Sequence, residues 1–222
     1  MSGGARYVPA AGRAWLTRLY DPVVALTMRE SRWREQLARY AVEAFEGGET
    51  IVDVGAGTGR QSVELADAYE YARVIAVDGD PQMLAIGRRS LPGEPIDWRL
   101  GMAGDLPLET GSADAVVMTL LLHHLDAGAK RAALREAARV LRPDGRLCIA
   151  DWGPPRRRAA TAGYRLLRAV DGAAGLHDNA AGRLPEFVAA AGFAEPRLRT
   201  RLGTVWGTLE LWTAPRATRP AW

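Results

Sequence analysis

Cysteine is nearly absent. Cys148 is the only one among 222 residues, which excludes a disulfide within the chain and a cysteine metal cluster. It sits in the strand-like run LCIAD, where a lone cysteine reads as a small buried hydrophobe. Lysine is almost missing too. Lys130 is the only one, and every other basic residue is arginine, a bias that reads as the composition of a GC-rich genome rather than a use of the guanidinium. No run approaches the ~20 apolar residues of a membrane span. The opening MSGGARYVPAAGRAWL has no apolar run of signal-peptide type. A cytoplasmic protein with no integral membrane segment is therefore expected. The formal charge of +3 gives no argument for nucleic acid, and none is expected as a partner. The sequence carries no signal of oligomeric state.

What is present is an ordinary globular composition, 48% hydrophobic and 25% charged. Strand-like runs alternate with helical stretches: TIVDVG (50–55), ARVIAVD (72–78), IDWRLGM (96–102), ADAVVMTL (113–120) and GRLCIAD (145–151). Helices are predicted over 60–69, over 81–90 opening on Pro81, and over 130–141 stopping before the turn Pro143-Asp144-Gly145. Such alternation predicts an α/β fold with a parallel sheet covered on both faces. A helix at 184–192 and a hairpin from strands 193–202 and 207–214 follow. Residues 1–46 read as an N-terminal helical cap and 47–151 as a ligand-binding core. Residues 152–222 hold a Pro-, Arg- and Gly-rich insertion at 153–183, with a possible helix over 158–171, and the hairpin; all belong to one domain.

The run IVDVGAGTG (51–59) is the informative one. In open α/β sheets ligands bind beyond the carboxyl ends of the strands. Glycines there let a ligand approach the backbone, and the next helix offers free N–H groups. Gly55, Gly57 and Gly59 miss the dinucleotide fingerprint by one residue, because Arg60 follows. The second strand ends on Asp78, a carboxylate able to hold both hydroxyls of a ribose. Asp80 reads as the cap of the helix at Pro81.

These motifs, with LPLETGSADAVVMTLLLHHL and LREAARVLRPDGRLCIAD, make residues 33–151 resemble the class I S-adenosylmethionine-dependent methyltransferases. The likeness is greatest to the ubiquinone- and menaquinone-type small-molecule enzymes. The resemblance implies a Rossmann-like seven-stranded sheet in the order 3-2-1-4-5-7-6, its last strand antiparallel, with S-adenosyl-L-methionine as cofactor. Carried over, Asp53 lies near the methionine amino group. Gly55, Ala56, Gly57, Thr58 and Gly59 shape the turn under methionine and ribose, and Asp78 holds the ribose diol. Gly79 and Met83 lie against the adenine. Thr119 and Leu120 offer backbone to the amino-acid end, and Tyr20 covers the cofactor. The family's third-strand turn usually carries Gly-Asp-Ala. Here it reads Gly101-Met102-Ala103, so Met102 replaces the acceptor of the adenine amine and packs on the ring instead, while the Ala103 N–H reaches a ring nitrogen. Asp105 reads as a solvated turn carboxylate.

For chemistry, His123 and His124 stand out. Neighbours on a helix point about 100° apart and cannot chelate one metal, so no metal site is expected. One of them is a candidate general base or substrate hydrogen-bond donor; packing is the other reading. Trp15, Tyr20, Trp33, Asp151, Trp152, Tyr164, His177 and Asp178 are candidate substrate walls. Arg156-Arg157-Arg158 read as a solvated face. The run Thr119-Leu120-Leu121-Leu122 lacks the Asn/Asp-Pro-Pro-aromatic motif of base amino-methylation, and Cys148 is on the wrong strand for pyrimidine C5 chemistry. The leading expectation is methyl transfer to a small-molecule acceptor on oxygen, nitrogen or carbon. Open alternatives are a phospholipid amine N-methyltransferase, a non-catalytic S-adenosylmethionine-binding partner protein and, more distantly, a nicotinamide oxidoreductase.

Overall fold

The computed structural model describes residues 30–43, 45–155, 174–204 and 206–217. Seven strands form one sheet: β1 (Thr50–Val54), β2 (Arg73–Asp78), β3 (Ile96–Leu100), β4 (Ala113–Thr119), β5 (Leu141–Gly153), β6 (Arg197–Gly203) and β7 (Thr208–Pro215). Their order is β3-β2-β1-β4-β5-β7-β6. Strands β1 to β5 run parallel, and β7 pairs antiparallel with both β5 and β6. The expected order and the antiparallel closure are therefore both observed.

Strand periodicity sorts the apolar residues onto two faces. Val52, Val54, Val116, Met118, Leu147 and Ile149 pack in one core with helices α4 (Ala127–Val140) and α6 (Leu184–Ala190). Ile51, Val74, Ala115, Val117, Cys148 and Ala150 pack in the other, against α1 (Glu30–Val42), α2 (Arg60–Ala68) and α5 (Ala174–Ala180). Each fully buried aliphatic side chain contributes about 1.5–3 kcal/mol. Cys148 is fully buried in that second core, and burial pushes its thiol up to about 12; it is not a nucleophile.

Helix α3 (Pro81–Ser90) opens as expected, with the Asp80 carboxylate accepting from Gln82 N at 2.8 Å. Helix α4 begins earlier than predicted because Asp126 caps it, accepting from Ala129 N at 2.8 Å. Its end also differs. The helix stops at Val140 and β5 starts at once, with Leu141 opposite Ala113 and Arg146 opposite Ala115. Pro143-Asp144-Gly145 is thus an outward bulge within β5, not a turn before it. Strand β6 starts at Arg197 rather than 193, because Glu195 has φ 39° and Pro196 follows. Of the N-terminal helical cap expected over residues 1–46, the described part contains one helix, α1. Trp15, Tyr20, Tyr164, Arg156-Arg157-Arg158 and the helix at 158–171 lie outside the described residues.

Candidate functional site

The carboxyl ends of β1, β2, β4 and β5 bring together Asp53, Asp78, Thr119 and Asp151. After β1, the glycines divide their work. An added Cβ at Gly55 would meet the Leu121 side chain at 2.9 Å, and one at Gly59 would meet the Trp98 ring at 2.3 Å. Both positions are closed by packing. Gly57 has φ +56° and nothing within 4 Å of its Cβ direction, so it alone of the three leaves open space for a ligand.

Asp78 sits beneath that space. Its Oδ2 accepts from Gly57 N at 2.7 Å and its Oδ1 from Asp80 N at 2.8 Å. Each oxygen keeps a second lone pair. Burial raises its pKa, against the backbone N–H groups of Asp80, Gly57 and Gly79 that lower it. Asp53 is fully buried. Ser62 Oγ donates to its Oδ2 at 2.7 Å, while Oδ1 has no partner. Burial pushes its carboxyl up to about 6, with the Ser62 hydrogen bond and the Arg34 charge opposing. Thr119, 8% exposed, likewise has a hydroxyl without a partner. Orphaned buried acceptors of this kind are uncommon and costly.

Leu120 follows Thr119 with φ 50°, a strained conformation for a branched side chain. Its N–H is spent on Ala150 O at 2.8 Å. The expectation that it serves the cofactor through backbone therefore narrows to carbonyls. Met102 lies over Gly79, with its sulfur 2.8 Å from where a Cβ would stand. Met83 and Ala103 are half-buried nearby in sequence, and Ala56 and Thr58 are half-buried in the glycine turn. Asp105 is exposed and closes its turn through N–H to Met102 O at 2.9 Å, as a solvated turn carboxylate should.

His123 and His124 do not diverge as helical neighbours. They occupy a 3-10 turn, Leu122–His124, and their rings approach to 4.0 Å. His123 is buried, its Nδ1 2.7 Å from Asp151 Oδ1 and its backbone N–H 3.2 Å from Oδ2. Trp152 N also donates to Asp151 Oδ1, at 2.7 Å. Burial alone would raise the Asp151 carboxyl, but the His123 charge and the hydrogen bonds hold it below its ordinary value. Asp151 therefore accepts, and His123 Nδ1 carries the proton. His124 keeps an accessible face although protein surrounds it on most sides. Burial first, then the His123 charge, pushes its imidazole below the ordinary value.

Among the described residues no group of three or more His, Cys, Asp or Glu side chains forms a metal site. Trp33 and Trp152, expected as substrate walls, are core residues at 1% and 4% exposure; the sheet face claims them. His177 is exposed. Asp178 is buried and holds Lys130 at 3.5 Å and Arg183 at 2.9 Å. Sequence reasoning placed Asp151 only as a wall. Its position as the last acid of LCIAD, matching Asp78 on β2, was the available signal. It missed Ser62 and Asn179, for which the sequence held none.

A family model described as a methyltransferase domain matches residues 52–149. The demethylmenaquinone methyltransferase of Tropheryma whipplei (strain Twist) is 36% identical over 140 residues, covering 63% of this chain and 55% of that protein. The ubiquinone/menaquinone biosynthesis C-methyltransferase of Rubrivivax gelatinosus is 37% identical over 125 residues, covering 55% and 46%. The chain thus spans about half the length of the curated relatives it matches. The structure of a complex between the Haloferax volcanii Trm112 methyltransferase activator and a methyltransferase contains a chain of the same fold. It aligns with a TM-score of 0.67 at 22% identity, over 94% of this chain and 97% of that one. Among the described residues no helix is long and apolar enough to cross a membrane.

Proposed function

We propose that the chain is a class I S-adenosylmethionine-dependent methyltransferase of the ubiquinone/menaquinone type and that it methylates a small-molecule acceptor, a reading supported by the methyltransferase-domain match and by the relatives 36–37% identical to it. The observation that carries the reading is the pair of carboxylates flanking open Gly57: Asp53 with its orphaned Oδ1 and Asp78 with two lone pairs to spare. The residues fit the cofactor. A cationic amino group answers the buried, unpartnered Asp53 oxygen, and a diol answers Asp78. Met102 and Gly79 offer the adenine a flat apolar wall.

S-adenosylmethionine supplies, when bound, a methyl group made electrophilic by its sulfonium and delivered by in-line displacement. The chain's own part is alignment, dryness and proton handling. Asp151 fixes the His123 ring and the backbone of its turn. The His123-His124 turn supplies the general base that takes the proton an acidic acceptor loses. His124 remains neutral beside His123. Relatives named as C-methyltransferases of quinone biosynthesis favour a carbon acceptor over an amine.

The test compares S-adenosylhomocysteine with NAD in calorimetry, then follows labelled S-adenosylmethionine in a metabolite extract by mass spectrometry. Binding of the first and not the second is expected, with at least tenfold weaker binding in Asp78→Ala, since a hydrogen bond to a charged group is worth about 1.5–3 kcal/mol. Binding of NAD alone, or an affinity untouched by Asp78→Ala, would overturn the assignment.

A further inference from the structure

Lys130 is the chain's only lysine, among basic residues that are otherwise all arginine. It is also fully buried, and the methyl-transfer chemistry makes no use of it. A buried ammonium is unfavourable unless its hydrogens are met, so its partners say what it is for. Nζ donates to Gly175 O at 2.5 Å and lies 3.5 Å from Asp178 Oδ2, both on α5. It also stands 5.6 Å from the centre of the Phe187 ring on α6. Burial holds its pKa below the ordinary lysine value, with the Asp178 and then the Asp151 charge opposing. An ammonium is a compact charge on a slim stem, whereas a guanidinium presents five donors in a rigid plane. One carbonyl, one carboxylate and one ring face suit the first.

The two ends of this tie bracket the His123 turn. At one end, Lys130 stands early in α4, whose cap Asp126 follows His124 by two residues. At the other, α5 lies directly on the turn. A Cβ on Gly175 would stand 2.2 Å from His123 O and 2.5 Å from Leu125 O, so backbone meets backbone there and no larger residue fits. The carbonyl that Lys130 holds thus belongs to the residue pressed on His123. Other polar side chains of α5 do not share this work. Asn179, one helical turn along, is 1% exposed with neither amide atom partnered, and His177 is exposed. Gly175 and Asp178 anchor the helix, and both lead to Lys130.

We propose that Lys130 is a positioning residue for His123: its ammonium clamps α5 onto the turn, and this seat, together with the two bonds from Asp151, fixes the imidazole. The bearing of the clamp on catalysis rests on the methyltransferase reading. The clamp itself is read without any acceptor.

The readout is the His123 Nδ1 proton, held by Asp151 at 2.7 Å. The chain has three histidines, and the NMR signal lost in His123→Ala assigns it. The full chain is compared with Lys130→Met, which keeps the stem and removes the charge, with Gly175→Ala, and with the double variant. Exchange of that proton with water should be roughly tenfold faster or more in each single variant, because the turn opens more readily. The double variant should exceed the faster single one by no more than about twofold, since both substitutions break one contact. Asp178→Asn leaves the lysine stem packed and weakens only the hold on its charge. It should speed exchange in the same direction, and it stands in for Lys130→Met if that chain does not fold. S-adenosylhomocysteine affinity should stay within about threefold throughout, because its carboxylates lie at β1 and β2. A folded Lys130→Met chain whose His123 proton exchanges at the parent's rate, whatever its melting temperature, would overturn the proposal. So would an unchanged Asp178→Asn in its place, or effects that multiply in the double variant. Failure of the parent to bind S-adenosylhomocysteine would instead overturn the methyltransferase reading and leave the clamp as a feature of the fold.

Discussion

Asp151 grips His123 at two points, the ring Nδ1 at 2.7 Å and the backbone N–H at 3.2 Å. One carboxylate thereby fixes both the turn that carries the imidazole and the ring's orientation. Both groups are buried, so the pair is not weakened by solvent as a surface pair would be.

If His123 takes the acceptor's proton, His123→Ala should lower kcat by roughly 10²-fold or more, with S-adenosylhomocysteine affinity retained. His124→Ala should cost much less, because among the described residues no carboxylate anchors its ring as Asp151 anchors that of His123. Asp151→Asn should keep an acceptor for the ring but remove the buried charge beside it, so kcat should fall while S-adenosylhomocysteine affinity is retained. Steady-state kinetics across pH check this. Equal mild losses at both histidines would make them packing residues.

Asp53 gives a prediction for pH. Its carboxyl is raised from an ordinary 3.8 to about 6 by burial. The folded chain then holds this proton more tightly than the unfolded one. The contribution favours folding below pH ~4 and is lost as pH rises through about 6, an effect of about 3 kcal/mol. Urea unfolding of the ligand-free protein should show that loss, and Asp53→Asn should lack it. An amino group placed against Oδ1 favours the ionised form. S-adenosylhomocysteine should therefore bind more tightly as pH rises from 5 to 7, releasing roughly half a proton at pH 6. Calorimetry in buffers of different ionisation enthalpy measures that proton.

Met102 marks the departure from the family's third-strand turn. Its side chain covers Gly79 and presents no charged acceptor to an adenine amine. Met102→Asp should add a contact worth about 0.5–1.5 kcal/mol, less whatever burial against the ring is lost. The parent should tolerate an inosine analogue of the ligand better than the variant does. Equal rejection of inosine by both would mean that another acceptor reads the amine.

The sheet was legible because its strands end on turn residues and acids that have no other use, and because alternation along β1 and β4 divides two cores. The bulge at Pro143-Asp144-Gly145 was not legible: a Pro-Asp-Gly run reads as a turn wherever it falls, and only the pairing of Leu141 with Ala113 shows that β5 has already begun. Trp33 and Trp152 misled for a related reason. An aromatic near a site looks the same in sequence whether it faces the ligand or the sheet. Asp53 and Asp78 were readable from strand ends, whereas the orphaned amide of Asn179 depends on α5 meeting the His123 turn, a contact between distant segments.

The glycines of the first turn supply the last prediction. Gly57 and Gly59 both have positive φ, at +56° and +84°, so alanine at either is strained by its backbone. They differ in what a methyl group meets. At Gly59 it would strike the Trp98 ring at 2.3 Å and Leu91 at 3.2 Å, and Gly87 approaches the same ring at 2.5 Å. Relieving that clash means moving a tryptophan that locks α3 against β3. Gly59→Ala should therefore unfold the protein at lower urea, with a loss of about 2–4 kcal/mol from overpacking and backbone strain together. At Gly57 the methyl enters open space. Gly57→Ala should cost only about 1 kcal/mol of stability yet weaken S-adenosylhomocysteine by tenfold or more, because the methyl stands where the ligand approaches. Urea midpoints and calorimetry on the two variants separate these effects. A Gly57→Ala protein that binds as well as the parent would place the ligand elsewhere along the sheet.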